Sequence, residues 1–89
     1  MGVESLNHQH RNIEQPLDRM KPGERAVLCR MQKGHSLLER LVDLGWTSGT
    51  PIRCVHISPL GDPIAYGIRG GVIALRKKDA HGILVRLEE

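Results

Sequence analysis

Aromatic residues are scarce in this sequence, which has no phenylalanine, one tryptophan and one tyrosine among its 89 residues. Modules that bind single-stranded RNA or proline-rich peptides depend on aromatic side chains as stacking platforms. The scarcity therefore argues against both binding classes. The apolar residues that are present are mainly Val, Ile and Leu, a composition that suits short β-strands.

Cysteines and long apolar runs are also few. The two cysteines, Cys29 and Cys54, are too few for the disulfide framework of a small secreted domain. No apolar run approaches the roughly 18 residues of a membrane span. The polar start MGVESLNHQHRNIEQ lacks the apolar segment of a secretory signal. We therefore expect a soluble cytoplasmic protein with reduced thiols and no direct membrane insertion.

The charge is nearly balanced, with 13 basic and 10 acidic residues that are largely interspersed. Such a chain is steered only weakly toward acidic partners. The basic cluster Arg76-Lys77-Lys78 lacks the aromatic platforms that RNA-binding modules supply. We interpret it as a solvated turn and expect no nucleic-acid partner.

The chain is one domain at most, and a domain of this size is too small for a large enclosed active site. Residues 1–15 show neither strand nor helix periodicity and are predicted to form a flexible N-terminal tail. Residues 16–89 are predicted to form the domain.

One short helix is predicted within GHSLLERLVDLGW. Ser36 and Glu39 have the spacing of a capping box, and Gly45 can take the left-handed conformation that ends a helix. So short a helix is unstable alone in water, and its leucines are expected to pack against a sheet. The apolar residues at helical spacing are Leu37, Leu38, Leu41, Val42 and Leu44.

Five segments have strand patterns: RAVLCR, PIRCVHI, IAYGI, VIAL and ILVRL. In RAVLCR, Ala26 and Leu28 share a face, and in PIRCVHI the apolar face changes after Cys54, which predicts a bulge. Gly70-Gly71 predicts a hairpin turn, PLGDP a rigid connector, and KKDAHG a short turn. The economical fold is mainly β: a small SH3-like barrel of about five strands, with one short α-helix after the first strand.

The order of four motifs resembles that of the FeoA family. The motifs are PGE, LLERLVDLGWTSGT, SPLGDPI and RGGVIALRKKDAHGILV, and they lie between about Leu17 and Leu87. Their most specific parts are Leu44-Gly45 with Gly49-Thr50, the block from Pro59 to Pro63, and Leu75-Arg76 followed by Asp79-Ala80. The resemblance implies an SH3-like fold and an accessory role in bacterial ferrous-iron uptake beside FeoB, a membrane transporter with a cytoplasmic GTPase domain.

A related module forms the C-terminal domain of iron-dependent repressors, whose chains also carry a helix-turn-helix domain. The alternative function is therefore a metal-responsive sensor or adaptor module. This sequence has no room for a helix-turn-helix domain, so a stand-alone accessory protein is the preferred interpretation.

The histidines and cysteines do not form a predicted metal site. His8 and His10 lie in the predicted tail, and Cys54 is interpreted as a small buried hydrophobic residue rather than as a ligand paired with His56. Three further residues lack zinc-type spacing and are interpreted as ordinary surface or loop residues: Cys29, His35 and His81. No firm cofactor is predicted, and weak binding of Fe(II) or Zn(II) is compatible with this pattern.

Catalytic signatures are missing, since the sequence has no G-x-S-x-G motif, no P-loop and no cysteine with a credible histidine partner. Asp62 precedes a proline at a turn, where aspartate typically accepts backbone hydrogen bonds of that turn. The protein is therefore predicted not to be an enzyme.

A partner-binding surface is predicted instead. Trp46 follows the end of the helix and Leu60 lies at the tip of PLGDP beside Asp62, and large apolar residues in turns are candidates for partner contacts. Arg40 and Arg69 would supply a charged rim. The predicted function is a non-enzymatic regulator that docks on the cytoplasmic part of FeoB, as a monomer or a weak oligomer.

Overall fold

Six antiparallel strands form a single sheet in this computed structural model, which describes residues 13–88. The strands lie in the order β1-β6-β2-β3-β4-β5. They are β1 (Gln15–Pro16), β2 (Arg25–Met31), β3 (Pro51–Ile57), β4 (Ile64–Ile68), β5 (Gly71–Leu75) and β6 (Ile83–Leu87). The helices are α1 (Leu38–Asp43) and α2 (Lys77–His81), and a 3-10 turn covers Leu17–Arg19. The prediction of a mainly β domain is confirmed.

The sheet is curved but not closed, because β1 and β5 are its two edges. β1 pairs with β6 and includes Gln15, one residue before the predicted start of the domain. His8, His10 and most of the predicted tail lie outside the described residues. Within the described part of the chain, no helix is long and apolar enough to cross a membrane.

One face of the sheet carries the core. Ala26 and Leu28 of β2 share a face as predicted, because alternate side chains of a strand point the same way, and both are buried. The predicted bulge in β3 is also present, since the β3–β4 register shifts between Cys54 and His56. Cys54 is buried and the following Val55 is exposed. The interpretation of Cys54 as a core residue is therefore confirmed.

The start of α1 differs from the prediction. The helix begins at Leu38, and its N-cap residue, Leu37, makes no side-chain cap hydrogen bond, so the predicted capping box of Ser36 and Glu39 is wrong. Instead, Nδ1 of His35 accepts a hydrogen bond from the Leu37 N–H at 3.0 Å. The His35 imidazole thus satisfies the Leu37 N–H, whereas the predicted capping box would have satisfied the N–H groups of Ser36 and Glu39.

The end of α1 confirms the prediction for Gly45, which has φ of 97°. The Gly45 N–H donates to the Val42 carbonyl at 3.0 Å, and the Trp46 N–H donates to the Leu41 carbonyl at 2.9 Å. These two bonds define a Schellman motif, in which a left-handed glycine reverses the chain.

Two turns were predicted inaccurately. Ile68 pairs with Gly71, and the residues between them, Arg69 and Gly70, both have positive φ. The hairpin turn is therefore Arg69-Gly70, one residue earlier than predicted. The predicted turn at KKDAHG is the helix α2, because the buried Ala80 anchors a segment that has too few apolar residues to show helical periodicity.

Candidate functional site

The helix α1 leaves apolar side chains uncovered. Leu41 is buried and Leu37 is half-buried, but Leu38, Val42 and Leu44 are 40%, 43% and 52% exposed. The expectation that the leucines of this helix would pack against the sheet is therefore wrong for Leu38 and Leu44. A helix of six residues turns only one narrow stripe toward the core, so the remaining apolar side chains face solvent.

Two grooves flank α1. The first lies between α1 and β2 and has a volume of ≈ 320 Å³. Its apolar lining includes Leu28, Met31, Leu38, Val42 and Trp46. The second lies between the end of α1 and the β4–β5 hairpin and has a volume of ≈ 220 Å³. Its lining includes Leu44, Trp46, Ile68, Arg69, Val72 and Ile73. Val72 is 61% exposed, so an apolar surface continues from the helix onto the hairpin.

Trp46 lies at the floor of both grooves and is only 1% exposed. Its ring meets that of Tyr66 edge to face, with centroids 6.4 Å apart. The prediction that Trp46 is an exposed contact is therefore wrong. The residue two positions after a helix end often packs back on the last turn of a Schellman motif, and the dipeptide Gly45-Trp46 carries that signal in the sequence.

The indole N–H of Trp46 is buried and has no hydrogen-bond partner among residues 13–88. The hydroxyl of Tyr66, in contrast, donates to the Leu17 carbonyl at 3.3 Å. Burial raises the pKa of Tyr66 well above its ordinary value, so this hydroxyl keeps its proton and remains a donor. The aromatic pair is thus a rigid support for the surface above it.

Leu60 and Asp62 lie apart from this surface. They lie in the turn before β4, whereas Arg69 lies in the turn after β4. The length of β4, about 13 Å, therefore separates Leu60 and Asp62 from Arg69. Leu60 is 96% exposed, and Gly61 beside it has the expected positive φ. The Asp62 carboxylate accepts a hydrogen bond at 2.8 Å from the N–H of Lys77, the first residue of α2. A hydrogen bond to the backbone of its own turn was expected instead.

The two predicted rim arginines lie near α1. Arg40 is exposed one helical turn before Leu44. Arg69 lies across the helix end, since a Cβ atom placed on Gly45 would be 3.3 Å from its Cδ. The structure thus brings Arg40, Trp46 and Arg69 to one end of the molecule.

The histidines and thiols have structural surroundings. Nδ1 of His35 accepts from Leu37, so Nε2 carries the proton and donates to the Asp79 carbonyl at 2.7 Å. His35 therefore links α1 to α2 and is not the ordinary loop residue that was predicted. Burial raises the pKa of both Cys29 and Cys54. Among residues 13–88, no three His, Cys, Asp or Glu side chains are grouped so that they could hold a metal ion.

Comparisons with known proteins agree on one family. The model of the FeoA domain matches residues 15–87. An Fe(2+) transport protein A/Fe(2+) transporter FeoB fusion protein of Porphyromonas gingivalis is 32% identical over 71 residues, which are 80% of this chain and 8% of the fusion protein. The chain thus spans a small part of that relative.

Solved structures show the same fold. Iron(II) transport protein A of Clostridium thermocellum has a TM-score of 0.76 at 38% identity, over 82% of this chain and 45% of that one. FeoA of Stenotrophomonas maltophilia, complexed with zinc and described as a procaryotic SH3 domain protein, has a TM-score of 0.68 at 26% identity, over 78% and 86% of the two chains. The predicted SH3-like fold is therefore confirmed.

A manganese-dependent transcriptional repressor also shares this fold. Its TM-score is 0.75 at 16% identity, over 84% of this chain and 42% of the repressor. At that identity the likeness extends to the fold alone.

Proposed function

Because this chain belongs to the FeoA family, we propose that it is a non-enzymatic accessory protein of ferrous-iron uptake that docks on the cytoplasmic part of FeoB. The fusion of the two proteins in one relative supports this partner. A covalent link keeps a FeoA domain at high effective concentration beside FeoB. A FeoA domain without such a link needs a binding surface for the same purpose.

The observation that carries the proposal is the uncovered apolar face of α1. We define the α1 surface by its apolar centre and charged rim: Leu38, Val42, Leu44, Val72, Arg40 and Arg69. Interfaces commonly combine a desolvated apolar centre with a polar rim. In this arrangement Trp46 supports the surface from below, and the arginines contribute orientation more than affinity.

Leu60 is proposed as a second, smaller contact. Its side chain is almost completely exposed and does not fold back onto the sheet. Asp62 holds the PLGDP turn against α2 through Lys77 and so keeps Leu60 in place. Neither residue depends on the α1 surface for its position.

The test compares two valines of nearly equal exposure. Val42 on α1 is 43% exposed and Val55 on β3 is 41% exposed, outside the α1 surface. An aspartate at the centre of an interface loses the packing of the valine and buries a charge without a partner. Val42→Asp should therefore weaken binding to the FeoB cytoplasmic domain by at least about tenfold. Val55→Asp should leave the affinity unchanged. Isothermal titration calorimetry with both variants measures the difference.

Thermal unfolding of both variants confirms that each is folded before binding is compared. Equal affinities of Val42→Asp and Val55→Asp would contradict docking through α1. Absence of binding by the wild-type chain would contradict the proposed partner.

A metal-responsive adaptor is the second candidate, and the zinc complex of a relative favours it. Titration of the full chain with Fe(II) and Zn(II) separates the two functions, because a sensor needs tight, stoichiometric binding at ligands held in place. We expect weak binding through surface histidines. Stoichiometric binding that survives removal of residues 1–12 would favour the sensor.

A further inference from the structure

A third concavity, distinct from the grooves beside α1, is surrounded by arginines. It has a volume of ≈ 200 Å³, and its lining includes Arg25, Pro51, Arg53, Gly67, Arg69 and Glu88. The three arginines come from the start of β2, the middle of β3 and the β4–β5 turn. We call this concavity the arginine pocket.

Two of these arginines face each other directly. Arg25 and Arg53 are register partners on β2 and β3. The neighbouring pair, Glu24 and Cys54, is hydrogen-bonded, because the Cys54 N–H donates to the Glu24 carbonyl at 3.0 Å. Bonded and non-bonded pairs alternate in an antiparallel ladder, so Arg25 and Arg53 form a non-bonded pair, with Cα atoms about 4.5 Å apart. Like charges in this position destabilise a sheet.

The third strand of the pocket leaves space for a guanidinium group. Gly67 of β4 is the register partner of Arg53. A Cβ atom on Gly67 would lie 2.6 Å from Cζ and 2.9 Å from Nε of Arg53. The guanidinium of Arg53 therefore lies directly over the backbone at Gly67, in space that any other residue would occupy.

Arg69 occupies an unfavourable backbone position. Its φ is 47°, in a turn where asparagine, aspartate or glycine is usual. A left-handed conformation is unfavourable for a residue with a Cβ atom, because the Cβ atom comes too close to a carbonyl oxygen. Residues held in such conformations are often found at functional sites.

Little negative charge offsets the arginines. Glu88 lines the pocket and is placed there by its N–H, which donates to the Arg25 carbonyl at 2.8 Å. The ion pairs among residues 13–88 are Arg30–Glu14 and His81–Asp18. None of the three pocket arginines is therefore paired within the described chain, where the charged residues that line the pocket are three arginines and one glutamate.

We propose that the arginine pocket binds a phosphate group. A phosphate monoester carries a charge of about −1.5 to −2 near neutral pH and has three strong acceptor oxygens, which complement the three arginines that line the pocket. Guanidinium groups bind such oxygens in a bidentate manner. The bound anion would also offset the repulsion between Arg25 and Arg53, and the site does not depend on docking to FeoB.

The experiment titrates the full chain, in phosphate-free buffer, with inorganic phosphate and separately with adenosine 5′-monophosphate, followed by NMR chemical shifts. The wild type should bind with a Kd of about 1 mM or tighter. Arg53→Gln should weaken binding at least tenfold, because it removes the central guanidinium. Arg76→Gln, an exposed arginine outside the pocket, is the matched control and should bind like the wild type.

The two probes distinguish the sources of the phosphate group. Tighter binding of adenosine 5′-monophosphate would support a phosphate carried by a larger molecule, and equal binding would support the free anion. The proposal is overturned if neither probe gives a saturable shift, or if Arg53→Gln binds as tightly as the wild type.

Thermal unfolding gives a second readout that does not depend on affinity alone. Without phosphate, Arg53→Gln should be at least as stable as the wild type, because it removes like-charge repulsion. Phosphate should raise the Tm of the wild type and of Arg76→Gln but not that of Arg53→Gln. An equal rise in all three would overturn the proposal.

Discussion

At the scale of the residue, the aromatic pair and the thiols decide how the core responds to pH. Tyr66 and Cys54 are both buried, and burial raises the pKa of each from ordinary values of 10.0 and 9.0. A raised pKa means that the neutral form is favoured in the folded state. The stability that these groups contribute is fully present below the ordinary pKa and is lost as the pH rises toward the folded pKa.

We therefore expect the free energy of unfolding to fall as the pH rises above about 9. Tyr66→Phe should lose about 0.5–1.5 kcal/mol at neutral pH, because the hydrogen bond to the Leu17 carbonyl is lost while the Met20 N–H still donates to that carbonyl. The same variant should show a smaller further loss above pH 10 than the wild type. Urea unfolding across this pH range measures both effects, and an identical alkaline slope in the two proteins would exclude Tyr66 as the titrating group.

At the scale of the element, α1 is a short helix defined by its two ends. His35 supplies the acceptor at the start, and the Schellman motif at Gly45 ends the helix and directs Trp46 under the grooves. The apolar surface is exposed because the apolar residues of α1 are spread around the helix more widely than the stripe that faces the sheet. The geometry of the end of α1 should therefore control the second groove.

Gly45→Ala tests this control, with Gly49→Ala as the matched variant. Both glycines have positive φ, 97° and 89°, but only at Gly45 would a Cβ atom meet a neighbour, Arg69. Each substitution should cost about 1–2 kcal/mol of backbone strain, and Gly45→Ala should cost more. It should also shift the NMR signals of the Arg69 side chain. Equal unfolding free energies and an unmoved Arg69 would show that the contact has no effect.

At the scale of the whole molecule, the sheet separates the proposed contacts. Strand β4 runs from the PLGDP turn to the Arg69 turn, so Leu60 and the α1 surface lie at opposite ends of it. The arginine pocket is a third region, which shares only Arg69 with the α1 surface.

The separation predicts additive effects on docking. Leu60→Asp and Val42→Asp should each weaken binding to the FeoB cytoplasmic domain, and the free-energy penalty of the double variant should equal the sum to within about 0.5 kcal/mol. A four-way titration of wild type, single variants and double variant measures this. A normal affinity of folded Leu60→Asp would remove the PLGDP turn from the interface, and strong non-additivity would mean that the two regions contact the same part of the partner.

The residue pattern alone was sufficient for β2 to β6, the bulge in β3, the glycine that ends α1 and the resemblance to FeoA. These features depend on alternation, turn chemistry and short motifs, all of which are local. The two-residue β1 and the helix α2 have too few apolar residues to show a period. The hairpin turn was predicted one residue too late, because Gly70-Gly71 is the stronger turn signal and a positive φ is unusual for an arginine such as Arg69.

The tertiary structure decided which candidate residues meet. It buried Trp46, bonded Asp62 to α2 and left Leu38, Val42 and Leu44 exposed. It also aligned Arg25, Arg53 and Gly67 across three strands. Strand register and helix packing are set by contacts between residues that are distant in the chain, and no local pattern records them. The sequence by itself therefore determined the family and most of the elements, whereas the surfaces arose only when the strands were paired.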